Sequence, residues 1–157
     1  MVTLSEIKAE VDRRAALIGA SGRVLPTYGH SDDFGYPHIE VDERGYHYVV
    51  VERGNELERT TTPSLDELLY RIFNGVTFSL AVNYEVQHRI AGEDCRRQIF
   101  RHQIELLSRL DARWAARCSK EKGRILRENP FRDFGPAGRL TQLFAKMIGK
   151  MSFRKRS

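Results

Sequence analysis

From Leu65 to Ile90 the apolar residues do not keep to one stripe. Leu65, Leu68, Leu69, Ile72, Phe73, Val76, Leu80, Val86 and Ile90 recur at three and four but spread over most of a helix's circumference. A helix apolar on most sides must be covered on most sides. The segment therefore predicts a long central helix, sandwiched between a sheet and further helices. Pro63 stops what precedes it, Ser64 and Glu67 have capping-box spacing, and Gly92 lies just beyond its end.

Before this helix the period is two. His38–Asp42 and Tyr46–Glu52 read as strands joined by Glu43-Arg44-Gly45, and a third strand, Glu56–Thr61, follows Arg53-Gly54-Asn55. A three-residue hairpin loop ending in glycine suits a type I turn plus bulge. That register sets Asp42 opposite Tyr46 and Ile39 opposite Val49, and paired residues share a face. It places Ile39, Val41, Val49 and Val51 toward the core and Glu40, Asp42, Tyr46, Tyr48 and Glu52 away from it. For the second turn, a three-residue loop buries Leu57, worth about 1.5–3 kcal/mol, against roughly 1 kcal/mol for opposing two glutamates in water. It adds Glu56 and Glu58 to the acidic face.

The flanks are helical. Thr3 and Glu6 form a capping box before the stripe Leu4, Ile7, Val11, Ala15 and Ile18, which Gly19 can end in the left-handed conformation. Residues 20–37, with five Gly and Pro, read as a structured loop. Two later helices run from about Asp94 to Leu110 and, capped by Asp111, to about Glu128 before Pro130. Beyond them an amphipathic segment, Leu140, Leu143, Phe144, Met147 and Met151 on one side, ends in Arg154-Lys155-Arg156. It reads as a last helix with a basic end, of a kind that also suits weak contact with an anionic membrane surface.

The chain of 157 residues is long enough for one domain with its own core. The net charge of +5 is unevenly spread: residues 1–88 are at −6, residues 89–128 at +5 and residues 129–157 at +6. A nucleic-acid binder usually spreads a basic stripe over its folded core, and here the first half is acidic. No apolar run approaches the ~20 residues of a membrane span. The charged N-terminus has no signal-peptide core, so a cytoplasmic location is expected. There Cys95 and Cys118 are expected to be reduced and packed.

Candidate chemistry is sparse. His38, Glu40 and Asp42 alternate on one strand, but members are ~6.5 Å apart, so the outer two cannot share an ion. Glu85 and His88 match one half of a helical di-iron motif that needs two copies. There is no phosphate loop, G-x-S-x-G or H-E-x-x-H, and neither a catalytic group, a metal site nor a cofactor is assigned. Arg89, Arg96, Arg97, Arg101 and Arg109 form a basic ridge that could grip phosphates or pair with acids. The acidic face with its tyrosines is the better site, because Tyr gives rigid contact area and clustered acids speed capture of a basic partner.

Leu25-Pro-Thr-Tyr-Gly29, Phe34–Asp42, Gly45–Gly54, Asp66–Tyr70 and Arg89–Phe100 together resemble the immunity protein 63 family of bacterial polymorphic-toxin systems. The likeness spans roughly residues 25–127 and stops short of the basic tail. Arg71 stands where that pattern often has an aromatic residue. The resemblance implies a non-enzymatic protein that binds and neutralises a toxin encoded beside it, and brings no map of the contact.

The expected fold is α+β: a three-stranded antiparallel meander packed on one face against a long central helix, with flanking helices. Residues 1–130 form the domain and residues 131–157 the tail. The expected partner is a cognate protein toxin with a basic surface, as a nuclease has, held by Glu40, Asp42, Tyr46, Tyr48, Glu52, Glu56 and Glu58. No small-molecule substrate is expected. The alternative is a nucleic-acid-binding regulator using the arginine ridge and tail.

Overall fold

A computed structural model describes residues 1–133; the amphipathic tail segment lies outside the described residues. The chain forms α1 (Leu4–Leu17), a 3-10 turn (Gly22–Val24), β1 (Thr27–Tyr28), β2 (Phe34–Asp42), β3 (Gly45–Glu52), β4 (Asn55–Thr62), α2 (Leu65–Gln87), α3 (Arg96–Ser108) and α4 (Ala112–Glu128). The sheet has the order β1-β2-β3-β4 and is mixed, because β1 runs parallel to β2. The α+β class and the long helix are as expected. The sheet gains a fourth strand from residues read as loop, and β2 starts four residues early.

Local chemistry sets the helix ends. Thr3 and Glu6 make the full reciprocal capping box, and Gly19 follows α1 at φ +68°. Ser64 accepts from Glu67 N, but the Glu67 carboxylate takes both terminal guanidinium nitrogens of Arg117 (2.6 and 2.9 Å), tying the start of α2 to α4. Asp111 caps α4 through Arg113 N.

The register differs from the expected one. Asp42 pairs with Gly45, Val41 with Tyr46, Ile39 with Tyr48 and Glu40 with His47, so the loop is the two residues Glu43-Arg44. Asp42 accepts from Arg44 N at 2.8 Å, which tightens the turn. Gly45 takes φ +133°, and a Cβ there would stand 2.5 Å from the Thr62 carbonyl oxygen. Ile39 and Val41 face the helices as expected, but β3 is turned over. Tyr46 and Tyr48 join them, and Val49 is buried on the opposite face with His38 and His47. Burying two aromatic rings under helices gains more apolar contact than burying two valines.

The second turn is also two residues, Arg53 and Gly54 at φ +52° and +73°, closing Glu52 on Asn55. Two left-handed residues match the twist of a hairpin. A bulge between the pairs Val50–Glu58 and Val51–Glu56 then makes Leu57 the extra residue, 43% exposed and not in the core as expected.

One buried cluster joins Ile39 and Tyr46 of the sheet to all four helices: Ile7 and Val11, Leu68 and Phe73, Leu107, and Trp114 with Cys118. Trp114 sits where three helices meet: Phe73 of α2 stacks on it at 6.0 Å, and Arg14 of α1 lies 4.8 Å over the ring. A second cluster of Ala81, Cys95, Ile99 and Phe100 extends the contact of α2 with α3, with Leu126 and Phe131 against it. Both cysteines are free and buried, and burial pushes both thiols up.

Candidate protein-binding surface

The seven expected contact residues divide into three groups. Tyr46 is buried, 5% exposed, and its hydroxyl accepts from Val2 N at 3.1 Å. It is a core residue. Tyr48, Glu52 and Glu58 lie on the helix side, where the far end of the sheet and α2 leave a groove of about 440 Å³. Glu40, Asp42 and Glu56 lie on the second face.

On that second face the acids are tied to neighbours. Glu40 takes Arg59 at 2.7 Å and lies 3.0 Å from His38 Nε2. Glu56 takes the same guanidinium at 2.8 Å. Arg59 above all holds both glutamates below the usual carboxylate range. Asp42 carries Arg44 at 2.9 Å and lies 2.8 Å from His47 Nε2, while His47 Nδ1 lies 2.8 Å from Thr61 Oγ1. Arg44 first and His47 second hold the Asp42 carboxyl down. These carboxylates carry negative charge at the rim while fixing two buried imidazoles.

The groove is mostly apolar. Val24, Pro26, Pro37, Val50, Ile72, Val76 and Phe78 line it, with Arg23, Glu52 and Glu58 as its charges. Arg71 stands over the Tyr48 ring at 5.3 Å and pairs with Glu58. Burial raises the Tyr48 hydroxyl's pKa, with Arg71 working against it. The arginine thus roofs a tyrosine where an aromatic residue was expected. Two residues outside the expected set stand out: Phe34 is 78% and Tyr36 40% exposed. Gly35 and Pro37 made their segment read as loop, and two aromatics two residues apart were the overlooked signal.

The remaining candidates have other occupations. The buried Glu85 carboxylate accepts from Arg89 through both oxygens at 3.1 Å, and His88 stacks on Tyr84 at 4.1 Å. Among the described residues no three His, Cys, Asp or Glu side chains are grouped to hold a metal ion. Along the arginine ridge, Arg96 is buried on Asp94, Arg97 forks Asp133 and Arg109 pairs with Glu105. Arg89 takes Glu85 from the acidic residues 1–88, while the partners of Arg96, Arg97 and Arg109 lie later in the chain. No helix among the described residues is long and apolar enough to cross a membrane.

Comparison with known proteins gives one match. The family model described as Immunity protein 63 matches residues 42–124, from the end of β2 into α4. That span covers β3, β4, α2 and α3 and leaves the Leu25–Val41 blocks outside it. Nothing matches among curated proteins or among solved structures. With more than half of its length matched, and with the sheet and helices that the match spans packed as one core, the chain belongs to the immunity protein 63 family.

Proposed function

We propose that this protein neutralises a cognate bacterial toxin by binding it stoichiometrically and covering the surface the toxin works with, without turning over a substrate. The family match over residues 42–124 carries this reading. Charge supports it: residues 32–59 hold eight acids against three arginines, net −5. Such a surface captures a basic partner quickly, and a nuclease, which must bind phosphates, presents one. Action inside the producing cell fits a protein that guards against its own toxin. Four of the five ridge arginines being paired weakens the nucleic-acid alternative.

Co-expression tests it. The C-terminal toxin domain encoded by the adjacent gene should stop growth alone and not when this chain is co-produced. Continued growth arrest despite abundant folded protein would sink the reading. At the level of mechanism, Glu52→Lys with Glu56→Lys should slow association about tenfold and flatten its salt dependence, because rim charges act on encounter. An unchanged association rate would remove the acidic sheet from the mechanism.

A further inference from the structure

A mostly apolar groove opens at the far end of the sheet. We infer that it receives a bulky apolar side chain from a loop of the toxin, flanked by Lys or Arg, with Phe34, Tyr36 and Leu57 as the contact rim. This rests on the immunity reading and goes further by naming where on the chain the toxin is anchored.

Three independent features converge there. The first is exposure. Phe34, Tyr36 and Leu57 are 78%, 40% and 43% exposed, and the register sets Phe34 opposite Glu52, beside the groove that Tyr36 and Leu57 line. Single exposed apolar residues are ordinary, whereas several at the mouth of an apolar hollow mark an interaction site.

The second is construction. Two register shifts, one between Phe34 and Pro37 and one at Leu57, interrupt the ladder at this end. Bulges re-aim side chains. Asp33 and Arg53 are the two non-glycine residues with positive φ among the described residues, +58° and +52°. They face each other: Arg53 N donates to Asp33 O at 3.4 Å, and Gly54 N donates to Asp33 Oδ1 at 2.7 Å. Arg53 is left-handed because the two-residue hairpin turn requires it, and Asp33 is of a type that tolerates this conformation and bonds back to that turn. Asp33 thus fastens the loop that carries Phe34 to the β3–β4 turn, so the rim is set before a partner arrives.

The third is charge complementarity. Asp32, Asp33 and Glu52 stand at this end against Arg23 and Arg53, a small acidic excess, while Arg71 pairs with Glu58 and Arg59 holds Glu56 on the second face. An apolar anchor inside a polar rim is the arrangement of binding hot spots, and an acidic rim selects basic flanks. A second copy would bring its own acidic rim against this one and be repelled.

The test uses the full chain and the catalytically silenced toxin domain from the adjacent gene, with Kd measured by calorimetry. Phe34→Ala removes a rim contact at an exposed position, and Ser79→Trp fills the groove from the exposed face of α2. Lys120→Ala, on the outer side of α4, is the control. Each should keep the wild-type Tm within about 3 °C, and Phe34→Ala remains decisive if Ser79→Trp folds poorly. We expect at least a tenfold rise in Kd for the two groove variants and less than twofold for Lys120→Ala. Tight wild-type binding with both groove variants within twofold overturns the groove as the anchor point and leaves the immunity reading standing. A dimer of this chain that Phe34→Ala dissociates, with toxin affinity unchanged, overturns it in favour of self-association. Absence of any binding or protection by the wild type overturns both.

Discussion

Asp94 and Arg96 are the most consequential single pair. The Asp94 carboxylate accepts from Arg96 N, Nε and Nη2 and from Arg132 N, while Arg96 donates to the carbonyls of Asn129 and Pro130. One buried fork thus fastens the start of α3 to the chain leaving α4. Burial alone would raise this carboxyl, but Arg96 and two backbone amides outweigh it and leave the group below its usual range. A depressed carboxyl contributes stability fully above the unfolded value, about pH 4, and loses it as pH falls toward the folded value. Asp94→Asn should therefore lower stability by about 3 kcal/mol at pH 7, because a buried guanidinium loses its counter-charge. The gap to wild type should narrow below about pH 4. Denaturant unfolding of both proteins between pH 2.5 and 7 checks both statements. Gly45 makes a simpler case. A methyl group there would meet the Thr62 carbonyl at 2.5 Å in a backbone conformation that side chains rarely adopt. Gly45→Ala should cost roughly 2–4 kcal/mol, read as a lowered midpoint of denaturation.

The same position explains what the elements reveal to a reader of sequence. Helix limits were legible because caps are local: Thr3 with Glu6, Ser64 and Asp111 bond within three residues of themselves. The sheet's register is decided at a distance, by whether Tyr46 and Tyr48 or Val49 and Val51 lie under α2. A one-residue change of loop length turns a whole strand over, and that moved Tyr46 from expected contact to core. β1 has two residues and no period to detect. The acids were legible as charge, but their division between two faces was not. Nor was the groove, which exists only where α2 meets the bulged end of β4. Helix interiors allow a cleaner forecast. Gly123 lies within α4 without a positive φ, and an added Cβ would meet only the flexible Arg127 guanidinium at 3.7 Å. Gly123→Ala should raise stability by about 0.5–1 kcal/mol through helix propensity. A thermal midpoint that falls instead would show hidden crowding on that face.

At the scale of the molecule, the chain leaving α4 packs back onto the helical layer through Phe131 and Asp133. Phe131 packs on Phe100, with Arg97 4.3 Å over its ring, and Asp133 accepts from Arg97 and from Asp94 N. Deleting residues 136–157 should leave a cooperative thermal transition and toxin binding intact, because these contacts remain. Deleting from residue 130 onward should lower the midpoint by several degrees, since it also strips the Pro130 carbonyl from Arg96. Loss of cooperativity in the shorter deletion would place the last residues in the core. The chain's single tryptophan adds a practical property. Trp114 lies against Phe73 and Tyr70 of α2 and beneath Arg14 of α1, among residues none of which line the groove. Its emission is therefore a built-in gauge of core assembly. Unfolding should shift it to the red, while a toxin seated at the far end of the sheet leaves its wavelength alone. One fluorimeter trace can then tell a variant that has lost its grip from one that has lost its shape.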